Sequence, residues 1–322
     1  MKIKKPDPCV HVNLTAIHSF ADRRMEWLAL VKKFIKMVEK EHTKELSKQV
    51  LHCNPDPEGP LKDMAKCQYT PARWEALEQL TAVKAPLYFY LRDHDHMRKG
   101  RKFQALNLDL HAMCSMLEHL PITVSGREHY QDNFVYYLRI SMSRSIFKSV
   151  QTQGFITLLN EMAQVMGAVC GWVDFSVAPN AATYGTEAMR FSVPRAPGTI
   201  RKQVEYGVPG YFWRQLLTQN HIQALGGLDR VKREAPCSTV EETVIGGNAA
   251  VWLQLNDDLF GATTEERLRM KEYLWPLLQT NYAWLARHLT EGRIADLTVL
   301  TPSEQAIMDE LLRLPEDELS RR

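Results

Sequence analysis

Residues Phe134 to Ser143 limit the fold most. Phe134, Tyr136, Leu138, Ile140 and Met142 fall on one side of an extended chain; Val135, Tyr137, Arg139, Ser141 and Ser143 fall on the other. A period of two over this length is a β-strand with one apolar face, which has to find both strand neighbours and a covering layer. Candidate neighbours are Val10 to Ile17, Pro86 to Arg92, Phe103 to Ala112 and Ala168 to Val177. Thr239 to Ile245 and Ala249 to Asn256 read as a hairpin across Gly246-Gly247-Asn248.

The covering layer is equally visible. From Asp22 onwards Trp27, Leu28, Val31, Phe34, Ile35 and Val38 recur at helical spacing, with lysines and glutamates on the other sides. The prolines of Asn54 to Pro60 stop that helix. Pro71 to Ala82 restarts one, with Thr70 as N-cap and Pro71 at the first position. Ser149 to Met166 reads as a single helix, and Pro209 to Val231 as short helices in which Gly226-Gly227 forms a C-cap. Thr263-Thr264-Glu265-Glu266 and Thr301-Pro302-Ser303-Glu304 are capping boxes. Ala178 to Gly198, rich in Pro, Gly and Ala, reads as a loop. Helices and antiparallel strands interleave in both halves, so the expected class is α+β, antiparallel sheets packed with helices. The expected division is 1–148 and 149–322, the second half ending in a helical tail; one continuous domain is the alternative.

Composition narrows the function. With 40 basic and 38 acidic residues, the formal charge of +2 carries no general bias towards nucleic acid. No apolar run reaches the ~20 residues that span a bilayer, and no apolar core follows the basic start of a leader. Cys9, Cys53, Cys67, Cys114, Cys170 and Cys237 are scattered without a C-x-x-C pair, the pattern of reduced thiols in a cytoplasmic protein. The expectation is a cytoplasmic protein with no membrane, nucleic-acid or cofactor partner.

The dinucleotide, phosphate-loop, nucleophile-elbow and zinc-protease patterns are absent. No acid stands two positions before a lysine, so the metal-and-base pair of restriction-type nucleases is missing too. His94 and His96, flanked by Asp93 and Asp95 and supplemented by His111 and Cys114, form the best metal-like set. Cys9 with His11, and His52 with Cys53, are weaker sets, and all of these read more simply as loop or core residues. Arg92, Arg98, Lys99, Arg101 and Lys102 make a basic patch without interleaved aromatics, which reads as a solvated turn. Tyr211, Phe212 and Trp213 read as core. The lysines of the long helix read as a water-facing side. Glu241, Glu242, Asp257 and Asp258, on or beside the second hairpin, are the candidate partner-binding residues.

One ordered set of features goes beyond pattern physics. Gly171-Trp172, Pro209-Gly210-Tyr211-Phe212-Trp213, Leu225-Gly226-Gly227-Leu228, Ala235-Pro236-Cys237 and Gly246-Gly247 follow each other as in the TsiV-like immunity proteins of bacterial type VI secretion, which this chain resembles. The resemblance covers Ser149 to Leu278. It implies a non-catalytic protein that binds a cognate toxin encoded by a neighbouring gene, a nuclease in the nearest resemblance, and neutralises it one for one. The alternatives are a metal-dependent enzyme built on His94 and His96, and a nucleic-acid-binding regulator using the basic loop.

Overall fold

The structure, a computed structural model, describes residues 8–18, 20–47, 49–53, 67–83, 88–93, 106–111, 136–176, 204–278, 309–310 and 313. Within them ten strands form one sheet. They are β1 (Cys9–Ala16), β2 (Gln49–Cys53), β3 (Cys67–Gln68), β4 (Tyr88–Asp93), β5 (Leu106–His111), β6 (Tyr136–Ser143), β7 (Cys170–Ser176), β8 (Arg214–Leu217), β9 (Thr239–Ile245) and β10 (Asn248–Gln254). Their order across the sheet is β3-β2-β4-β5-β6-β1-β7-β8-β10-β9. Every neighbouring pair is antiparallel. The α+β class expected from the sequence is the class observed.

β1 sits in the middle, with Val12 opposite Ile140 of β6 on one side and Val173 of β7 on the other. The sheet therefore runs without interruption past residue 148. All eight β1 residues are buried. Val10, Val12, Leu14 and Ala16 face one layer of helices, continuing the apolar side of β6 through Leu138, Ile140 and Met142. Cys9, His11, Asn13 and Thr15 lie on the opposite face and are also covered. Strands buried on both faces lose the alternation that a half-exposed strand shows.

The first helical layer consists of α1 (Arg24–Ser47), α3 (Arg144–Thr152) and α4 (Phe155–Met166), with α2 (Pro71–Val83) against α1. Trp27, Leu28, Val31, Phe34, Ile35 and Val38 of α1 are buried, as their spacing requires. Phe34 meets Phe155 of α4 at 5.4 Å between ring centres, and Phe155 meets Phe147 of α3 edge-on at 6.3 Å. The single helix expected over 149–166 is two. Gly154 takes φ +89° and separates α3 from α4, a left-handed conformation that glycine reaches without a Cβ clash. α3 begins earlier than expected, at Arg144, with Ser143 as N-cap accepting from the Ile146 N–H. α2 starts where Thr70 and Pro71 place it, the Thr70 hydroxyl accepting from the Arg73 N–H.

On the other face lie α6 (Leu228–Glu234) and α7 (Thr264–Tyr273), tied to it by Lys232–Glu242 and Arg267–Asp174, with α5 (Gln219–Ala224) leading from β8 into α6. Part of the region expected as short helices is instead β8, four buried residues between β7 and β10. Arg214-Gln215-Leu216-Leu217 shows no alternation because both faces are covered, and sequence periodicity has nothing to report in such a run. β2 is a second strand that periodicity missed. The Gly226-Gly227 cap is present: both glycines have positive φ, and the Gly227 N–H closes onto Ile222 O at 2.8 Å. The capping box at Thr263 is also present, its hydroxyl accepting from Glu266 N–H while Glu266 accepts from Thr263 N–H.

Candidate interaction surface at the β9 end of the sheet

The β9–β10 hairpin turns on Gly246 (φ +58°) and Gly247 (φ +81°), with Ile245 opposite Asn248. Two consecutive positive φ values define the tight turn whose twist matches the strands, which is why glycines stand there. Residues flanking such a turn exchange both hydrogen bonds. Ile245, Thr243, Glu241 and Thr239 thus spend their backbone groups on β10, while Val244, Glu242 and Val240 direct theirs outwards. β9 has no further strand beyond it among the described residues. Val244 is 58% exposed.

The four acids singled out in the sequence do not form one patch. Glu241 lies on the α4 side of the hairpin, where the neighbouring Thr243 hydroxyl accepts from Gln164 of α4 at 3.0 Å. Its carboxylate accepts from Nη2 of Arg214 at 2.5 Å. Arg214 is only 2% exposed; its Nη1 donates to Gln254 at 2.8 Å and its guanidinium stands 5.1 Å over the Trp252 ring. Trp252 in turn donates to Asn160 at 3.2 Å. Burial pulls the guanidinium below its ordinary pKa and Glu241 opposes the shift. The group stays cationic, so Glu241 serves as the counter-charge of a buried arginine. Glu242 points to the other face and pairs with Lys232 of α6 at 2.6 Å, both ends about half exposed. Asp258 lies past the end of β10 and caps the 3-10 turn Leu259–Gly261, accepting from Phe260 N–H at 3.1 Å. Asp257 is exposed.

Two polar constructions behind this surface were not foreseen. Asp174 of β7 is fully buried and accepts from four donors: both terminal nitrogens of Arg267 on α7 (2.5 and 2.8 Å), its neighbour Phe175 N–H (2.8 Å) and Trp213 N–H (3.1 Å). Burial raises the carboxyl above its usual range, and Arg267 with the two backbone N–H groups draws it back. This pair pins α7 and the Trp213 backbone to the sheet. The second is His221, fully buried in α5. Its Nδ1 accepts from Thr218 N–H at 3.1 Å. The proton therefore sits on Nε2, which is buried and makes no hydrogen bond within normal distance among the described residues, while the Val204 and Gly207 carbonyls act on the ring only weakly. Histidine here fills the N3 place of a capping box, where Glu or Gln is usual. Burial pushes its pKa down to about 4. An acid inside an otherwise apolar strand, as in Gly171-Trp172-Val173-Asp174-Phe175, was the one available signal for the first construction.

The metal-like sets fall out differently. His94, His96 and Cys114 lie outside the described residues, as do Arg98 to Lys102, the loop at 178–198 and the capping box at Thr301. The side chains of Arg92, His111, His52 and Cys53 are not described either. His11 is buried and its Nδ1 bonds the Ser141 hydroxyl at 2.9 Å, with its pKa pushed down to about 4 by burial. Among the described residues no group of three or more His, Cys, Asp or Glu is arranged to hold a metal ion. Cys9 and Cys170 are buried and Cys237 is half-buried. Tyr211, Phe212 and Trp213 are core residues, the last fully buried with its indole donating to Asn256 O at 3.0 Å. Among the described residues no helix is long and apolar enough to cross a membrane.

No protein-family model matches the sequence, and no curated protein matches it. Among solved structures, the fold is shared with a Pseudomonas aeruginosa T6SS protein at a TM-score of 0.55. The superposition spans 98% of this chain and 86% of the other at 14% identity. That likeness establishes a common architecture over nearly the whole length.

Proposed function

We propose that this chain is an immunity protein of type VI secretion, one that binds a cognate toxin, a nuclease in the closest reading, and blocks it by stoichiometric contact. The observation that carries the reading is the full-length fold shared with the P. aeruginosa T6SS protein, joined to the ordered sequence features from Gly171 to Gly247. The geometry of the β9 end is compatible with such a task. A tightly packed platform of buried aromatics presents an edge strand and a rim of charged side chains, and recognition by added strand or by docked side chains needs no chemistry of its own. Charged rim residues would steer association more than they add affinity.

The test is co-expression with the toxin encoded by the adjacent gene, followed by titration of purified toxin. Protection that saturates at one chain per toxin, with a complex stable in gel filtration, is the expected result. Full inactivation of toxin by substoichiometric amounts would replace binding with turnover and sink the proposal. The hairpin contribution is probed with Glu242→Lys and Asp257→Lys, not at Glu241, because a lysine there would face the buried Arg214. Slower association in these variants supports the hairpin as a contact; unchanged association removes it and leaves the immunity reading standing.

A further inference from the structure

An open groove of roughly 360 Å³ lies between α1 and the α3–α4 corner, lined by Ala29, Lys32, Lys33, Lys36, Met37 and Gln153. Its lining is aliphatic at exposed Ala29 and half-buried Met37 and cationic at Lys32, Lys33 and Lys36. Gln153 is fixed in place, its amide donating to Met37 O and Ser149 O at 3.2 Å each. Lys33 reaches Glu161 of α4 at 3.0 Å. Lys36 and Lys40, both exposed, continue the rim along α1, and neither makes an ion pair among the described residues. α4 starts beside this wall with no side chain capping its N-terminus, which adds partial positive charge to the same corner. A groove that sets apolar Ala29 and Met37 among several cations on one helix is more than a solvated lysine side.

We infer that this groove receives an acidic segment of a partner protein, one carrying an apolar side chain for Ala29 and Met37 and carboxylates for Lys33, Lys36 and Lys40. The inference rests on the immunity reading and deepens it by giving the toxin a second contact, on the α1 face rather than on the β9 edge. Protein is favoured over nucleic acid as occupant because the lining includes apolar Ala29 and Met37 and no aromatic to stack on bases. Glu39 and Glu41 also flank the cations on α1.

Two arms test it on the full chain. In the first, a fluorescent peptide of alternating Glu-Glu and Leu-Leu pairs is titrated into the wild type, Lys36→Glu/Lys40→Glu and Ala29→Trp, with circular dichroism checking that each variant is folded. Saturable binding that weakens at least about tenfold in both variants is expected. No binding to the wild type up to millimolar peptide, or equal binding to all three, overturns the inference. So does tighter binding of a duplex DNA oligonucleotide that is lost in the same variants, since it assigns the groove to nucleic acid. In the second arm the adjacent-gene toxin is the probe: about tenfold slower association of the charge variant supports the contact, and unchanged association rejects it. Failure of the wild type to bind toxin at all sinks the immunity reading, and the peptide arm still decides the groove.

Discussion

His221 gives a quantitative handle on the fold. It is buried and neutral, with a pKa near 4 against an ordinary value of 6.5, and His11 is shifted to the same extent. A base whose pKa is depressed by folding leaves stability intact above pH 6.5. Stability is lost as the pH falls towards 4, because the unfolded chain takes up a proton that the folded chain refuses. Each such histidine gives a slope of about 1.4 kcal/mol per pH unit in that window, and about 2 kcal/mol lost between pH 7 and pH 5. The two together remove about 4 kcal/mol over that range, a large part of the ~5–15 kcal/mol that holds a typical domain together. The informative perturbation is His221→Gln. Glutamine is a usual residue at N3 of a capping box and can still accept from Thr218 N–H, but it does not titrate. Urea unfolding at pH 7, 6 and 5 is the assay. The wild type should lose about 2 kcal/mol more than the variant between pH 7 and pH 5. Other histidines and the carboxylates contribute equally to both proteins and cancel in the difference. Parallel curves would show that His221 is protonated in the folded state, and the argument from its burial would be wrong.

Three further outcomes follow from packing and charge. Arg267→Ala should cost about 3–5 kcal/mol, since it leaves the Asp174 carboxylate buried without its counter-charge; the Asp174→Leu/Arg267→Met double variant should recover only part of that loss in the urea midpoint, because the Trp213 N–H then loses its acceptor. Gly171→Ala should cost about 1–3 kcal/mol by overpacking, because an added Cβ would stand 2.7 Å from Leu14 Cδ2 and 3.2 Å from the Trp252 ring. Glu241→Gln should lower the thermal midpoint measurably by weakening the partner of buried Arg214, whereas Glu242→Gln, which breaks only an exposed pair with Lys232, should leave it unchanged.

What the sequence disclosed was whatever is local. The α1 stripe from Trp27 to Val38, the Gly246-Gly247 turn, the Gly226-Gly227 cap and the Thr263 box each rest on residues within a few positions of each other. The break at Gly154 was equally local and could have been read, since glycine inside a helical run is a standing warning. β8 was hidden because a strand covered on both faces shows no period. The candidate surface was only half legible. Glu241 and Glu242 look identical in sequence, and their different roles depend on Arg214 of β8 and Lys232 of α6. The Asp174–Arg267 pair joins residues 93 positions apart, and nothing in either neighbourhood names the other.

The central position of β1 has a consequence in time. Its hydrogen-bonding partners, Tyr136–Ser143 and Cys170–Ser176, come much later in the chain; His11 and Ser141, which touch in the finished sheet, are separated by 130 positions. Neither edge of β1 can be satisfied while the intervening polypeptide is still being made. Non-local pairing of this kind slows folding, and an unpaired apolar strand is an attachment point for other chains. During synthesis Val10, Val12 and Leu14 therefore remain adhesive until β6 emerges, and the other edge of β1 stays open until β7 follows. The order of events at the ribosome is set by one short strand, and crowding or rapid translation should divert this chain into aggregates at that stage, before any partner is encountered.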